Sequence, residues 1–154
     1  MQDPRIKTII AHYGKKHQRI KLVEEIGEML AEVARYVADG ERRTNKADIV
    51  SELADVVIVI RQLYPDASKV ERKVPEGEEV ARLLCEKAAS LAAMVAGAPF
   101  SKLELSYAES TLAFIDLFVR DLAEVPMLQM AIEQKIDRQI GRILRSEGAD
   151  GNRR

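Results

Sequence analysis

Four carboxylates stand at matched spacing inside the two most apolar stretches of the chain. Glu25 and Glu28 lie in "LVEEIGEML", and Glu52 and Asp55 in "DIVSELADVVIVI". In a helix, residues three apart share a side, so each pair offers two carboxylates to one neighbour. A shielded carboxylate is costly unless it is paired, protonated or bound to a cation. Nearby bases are too few to neutralise all four: Arg61 falls on another side of its helix, and Lys21 can serve one or two acids. Two such helices packed together would converge their oxygens on one point. An all-oxygen donor set suits a hard cation, Mg²⁺ or Mn²⁺.

The elements that must position these acids read as helices. Ile20, Val23, Ile26, Leu30, Val33 and Val37 recur every three or four residues and stop at Asp39-Gly40. Glu25 and Glu28 sit off the flank of that stripe, with Lys21 and Glu32, as on a solvated charged face. Thr44 or Asn45 can cap a second helix over about 46–63, closed by Pro65. Its run Val56–Ile60 is β-branched, but the apolar pattern from Ile49 to Leu63 is too long for the usual strand. Apolar residues surround Glu52 and Asp55 on the helical wheel, which predicts burial and partial shielding of both acids.

A shorter helix is expected over 5–13, ending near Gly14. After a polar linker, Pro75 suits a first helical position, with Glu76, Glu78 and Glu79 at the positive end of a helix to about Ala96. Ser101 and Glu104 form a capping box, with Phe100 and Leu105 as a hydrophobic staple, opening a helix to about Glu124. Pro126 starts the last helix, and the tail 149–154 is expected to be disordered. The pattern predicts an all-α bundle and a single domain over 1–148.

Composition narrows the function. The 154 residues are 47% hydrophobic and 32% charged, an ordinary globular balance. A net charge of -1 gives no reason to expect nucleic acid or an anionic membrane as partner. The single Cys85 excludes a disulfide framework or a cysteine-rich zinc site. With no secretory signal or spanning segment in the opening "MQDPRIKTII", the expected location is cytoplasmic. His12 and His17 lie outside the acid pairs, and no Glu-x-x-His pair supports a ferritin-like di-iron site. Met127 and Met130 read as core or interface residues, and Cys85 as a small buried one.

"EEIGE" followed by "ELAD" resembles the paired E-x-x-E and E-x-x-D motifs of the MazG-like, all-α nucleoside triphosphate pyrophosphohydrolases. The wider "HYGKKHQRIKLVEEIGEML" and "DIVSELADVVIVIRQL" are similar to short bacterial and phage-type members. The likeness covers about residues 12–64 and, more loosely, "KIDRQIGRI". It implies a four-helix core, here with two additional helices, and Mg²⁺-dependent hydrolysis of an NTP or dNTP to the monophosphate and pyrophosphate, a nucleotide-pool house-cleaning reaction. By position, the resemblance makes Glu25, Glu28, Glu52 and Asp55 the metal ligands and Glu24 the residue acting on the attacking water. Lys21, Lys135, Arg138 and Arg142 would serve the phosphates, and Gln18 and Tyr13 the base or ribose. Phosphoribosyl-ATP pyrophosphohydrolase is a second reading, and a non-catalytic helical interaction protein keeping a structural ion a third. Residues 65–126 have no counterpart in the shortest members. If they fold apart, the apolar second helix lacks cover within one chain, and a homodimer or higher oligomer is expected.

Overall fold

The computed structural model describes residues 2–39, 45–68, 70–76, 79–97 and 101–151. Among them are six α-helices and no strand: α1 (Pro4–Tyr13), α2 (Lys15–Asp39), α3 (Lys46–Leu63), α4 (Val80–Gly97), α5 (Lys102–Asp121) and α6 (Val125–Gly151). Local chemistry explains most boundaries. Asp3 caps α1 by accepting from the Arg5 amide at 2.9 Å, and Pro4 opens the helix without losing a bond. Gly14 ends it at φ 83°, a conformation a side chain would strain. Asn45 caps α3 by accepting from the Asp48 amide at 2.8 Å, and Ser101 caps α5 by accepting from that of Glu104 at 3.2 Å. The alternative cap Thr44 and the staple residue Phe100 lie outside the described residues.

Three boundaries differ from expectation. α4 begins at Val80, so Pro75, Glu76 and Glu79 precede it, while Glu78 lies outside the described residues. Residues 70–75 instead run without helix. Val74 packs on the core from there, and Arg72 donates to the Ser110 hydroxyl at 2.9 Å. α5 stops at Asp121, where a turn through Ala123 (φ 58°) lets Leu122 bury and Glu124 donate back to the Val119 carbonyl. α6 continues to Gly151, taking in residues 149–151 of the expected tail, whose residues 152–154 lie outside the described residues. No proline interrupts it, and an isolated glycine weakens a helix by only about 1 kcal/mol.

α3 is the central element. Its faces carry Ile49, Val50, Leu53, Val56, Val57, Ile58, Val59 and Ile60, all buried. α1, α2, α5 and α6 pack around it, while α4 packs against α2 and α5. The helices within 65–126 therefore join the same bundle, and α5 supplies cover for α3 within one chain. That removes the ground on which a second copy was expected. No described helix is long and apolar enough to cross a membrane. Met127 and Met130 are exposed rather than core, and Cys85 is partly buried.

The buried face of α2 is rotated from the expected stripe. Leu22, Ile26, Met29 and Val33 are inside, Val23 and Leu30 only partly so, and Ile20 and Val37 face outward. Packing by both α3 and α4 decides the phase, and it brings Gln18 and Glu25 inside as well.

Candidate metal centre

Rotation of α2 separates its two acids. Glu25 was expected on a solvated flank, yet it is only 5% exposed; Glu28, one turn on, is exposed. Across the interface Glu52 and Asp55 are partly buried, as the wheel suggested. Oxygens of Glu25, Glu52 and Asp55 lie within 4.8 Å of one another, bringing three carboxylates from two helices to one point. Glu28 stands outside this trio but raises the carboxyls of both Glu25 and Glu52 electrostatically.

The surrounding cations are few. Lys21 Nζ lies 2.6 Å from Glu25 Oε1 and 3.4 Å from Glu24 Oε2. Lys135, from α6, forms an ion pair with Asp55 Oδ2, with both side chains mostly buried. Four carboxylates thus face two ammonium groups. Burial pushes the Glu25 carboxyl above its ordinary range, with Asp55 and Glu28 adding to the effect and Lys21 opposing it. The hydrogen bond to Glu25 in turn holds Lys21 in its charged form, raising its pKa. Glu52 is pushed to about 7, first by burial and then by Asp55 and Glu28, against the pull of Lys135. Its Oε2 is buried and has no hydrogen-bond partner among the described residues.

An orphaned carboxylate oxygen in an acid cluster with a charge deficit fits a divalent cation. Glu25, Glu52 and Asp55 would hold it, with Glu28 within electrostatic range.

No family model, curated protein or solved structure matches this chain.

The other sequence candidates fall at different distances from the trio. Glu24 is exposed and connects to it through Lys21. Arg138 is exposed and its Nε donates to the Gln134 carbonyl at 3.4 Å; Arg142 is also exposed. Gln18 is 4% exposed, inside the α2 face. The Tyr13 ring stacks on His17, with centroids 5.5 Å apart.

Two polar features escaped the sequence reading, and a third, the Glu104 side chain expected to close the α5 capping box, turns inward instead. Glu104 is fully buried, where Arg19 Nη1 donates to it at 2.5 Å and the Tyr64 hydroxyl donates as well. Arg19 Nη2 also donates to the Val95 carbonyl at 3.1 Å, so the cluster joins α2, α4, α5 and the end of α3. Gln139, one turn after Lys135 on α6, has a buried Oε1 without a partner among the described residues, and Gln62 of α3 has neither amide atom partnered. The only signal for the last was its seven-residue spacing from Asp55, which returns it to nearly the same helical phase.

Proposed function

We propose that the protein is a Mg²⁺-dependent nucleoside triphosphate pyrophosphohydrolase of the MazG-like kind, with Mn²⁺ as an alternative ion. One observation carries the reading: Glu52 Oε2 is buried and unpartnered beside Glu25 and Asp55. The motif resemblance of "EEIGE" and "ELAD" adds the reaction class. When bound, the cation would polarise the phosphates and neutralise charge on the leaving group.

The chain's own residues divide the remaining work. Glu25, Glu52 and Asp55, with Glu28 nearby, would hold the cation that draws the phosphate chain to this point. Lys21 is 41% exposed and shared between two carboxylates, so its ammonium can swing to a phosphate oxygen. Lys135 neutralises Asp55 and supplies the second positive charge from α6. Glu24 stays solvated beside Lys21 and accepts the proton of the attacking water. The water oxygen bonds to the α-phosphorus, the bond from that phosphorus to the bridging oxygen breaks, and pyrophosphate leaves with the bonding pair.

Pyrophosphate release from NTPs, dNTPs and phosphoribosyl-ATP, with and without Mg²⁺, tests this directly. Mg²⁺-dependent release from at least one triphosphate, abolished in Glu52→Gln, is expected. Cation binding with no release from any of them would leave an ion-binding helical protein in its place.

A further inference from the structure

Arg61, in the last turn of α3, lines two cavities that also share Ala67. The first, of about 530 Å³, opens between α1, the end of α3 and α6, over Ile6 and Ile136. The second, of about 240 Å³, is a mostly apolar slot. Its walls are Val57 of α3, Leu112, Ile115 and Val119 of α5, and Leu128 and Ile132 of α6. No member of the acid trio lines either cavity.

Each acid on the two linings is already held by another arginine. Asp3 and Glu133 bind Arg5 at 2.6 and 2.7 Å, and Asp116 binds Arg120 at 2.8 Å. The Arg61 guanidinium is partly buried and makes no hydrogen bond or ion pair among the described residues. Burial pushes its pKa down, and Glu133 and Asp3 oppose this only through space. The negative end of the α3 dipole helps to offset the cost without supplying a bond. A cation taken partly out of water and left without a partner disfavours the free protein.

We propose that these cavities bind a small monocarboxylate, with its carboxylate on Arg61 and its hydrocarbon tail in the apolar slot. The planar guanidinium presents paired donors that match a carboxylate. A single negative charge suits the place, because Asp3, Glu133 and Asp116 repel a multiply charged anion such as pyrophosphate. The slot is smaller than a site for a drug-sized ligand, so the tail is a short chain or one ring.

Titration calorimetry in chelator, which keeps the acid cluster free of metal, tests this with butyrate, hexanoate, hexan-1-ol, hexylamine and pyrophosphate. Each added methylene should tighten binding by up to about fourfold, so hexanoate should exceed butyrate by roughly tenfold. It should exceed hexan-1-ol and hexylamine by at least about tenfold, and pyrophosphate should not displace it. Arg61→Met keeps an apolar stem and should weaken hexanoate by about tenfold or more. Its affinity for hexan-1-ol should be unchanged and its melting temperature no lower than that of wild type. Arg61→Lys, a point charge without paired donors, should recover only part. Val125→Phe, which fills the slot from the start of α6, should weaken hexanoate and hexan-1-ol alike. Hexanoate affinity unaltered in Arg61→Met or Val125→Phe, or equal binding of acid and alcohol by wild type, would overturn the inference. Tighter binding of pyrophosphate at this site, or no hexanoate binding at millimolar concentration, would do the same. A lower melting temperature in Arg61→Met would give the guanidinium a partner within the fold and overturn it too.

Discussion

Replacing Glu52 with glutamine should make the metal-free protein more stable at pH 8, an outcome opposite to that of most substitutions at partly buried positions. Folding places this carboxyl against burial and the charges of Asp55, Glu28 and Glu25, with Lys135 the opposing cation, and raises its pKa from 4.5 to about 7. The folded state therefore holds the proton that the unfolded state releases. Stability is complete below pH 4.5, declines as pH rises, and is fully reduced above about 7. The gap corresponds to at most about 3 kcal/mol, and solvent screening of the partly accessible side chain leaves roughly half. For a chain of this size that amounts to a melting temperature about 3–6 °C higher in Glu52→Gln at pH 8, and no difference near pH 4. Mn²⁺ at a hundredfold excess over its dissociation constant should stabilise wild type by about 2.7 kcal/mol, and Glu52→Gln by little. Thermal melts at both pH values, with chelator and with Mn²⁺, measure all four states. A variant less stable than wild type in chelator at pH 8, or with the same Mn²⁺ increment, would refute the reasoning.

Other substitutions probe separate parts of the molecule. Lys135→Met removes the cation beside Asp55, so calorimetry should find Mn²⁺ bound several-fold more tightly and tripolyphosphate more weakly; parallel changes would exclude a phosphate role. Arg19→Met leaves the Glu104 carboxylate buried with the Tyr64 hydroxyl as its remaining named donor, at a cost of about 3 kcal/mol. Its melting temperature should fall by about 10 °C, and a loss under about 2 °C would mean that the pair is dispensable. Ala123→Gly relieves the left-handed backbone at φ 58° and should raise the denaturant midpoint by the equivalent of about 0.5–1 kcal/mol, with an unchanged slope.

The helices were largely legible because their signals are local. Asn45, Ser101 and Gly14 act through bonds or backbone angles within a few residues, and the structure uses all three at helix ends. α3 was readable as buried because its apolar residues leave no solvent face. The phase of α2 was less so, since its buried arc is set by α3 and α4 together, and that contact lies far away in sequence. This is why Glu25 was placed on a solvated flank and Ile20 and Val37 in the core. The ion pair from Lys135 to Asp55 spans 80 positions, and Arg19 to Glu104 spans 85. A basic residue and an acid so distant carry no mutual signal in a single sequence. α4 began late because proline is equally at home in extended chain, and nothing local chooses between the two.

The Arg19–Glu104–Tyr64 cluster also bears on how the molecule could be shortened. Residues 65–126 contribute no acid to the trio, which by itself would make them removable from a minimal acid-bearing core. Yet α5 supplies the carboxylate that pins Arg19 to Tyr64 and thereby prevents α2 from sliding along α3. A slip of one residue on either helix would carry Glu25 about 1.5 Å along and a quarter turn away from Asp55. The segment without chemistry of its own thus acts as an alignment pin for the one that has it. Deleting it would blunt the site even if the remaining helices stayed folded.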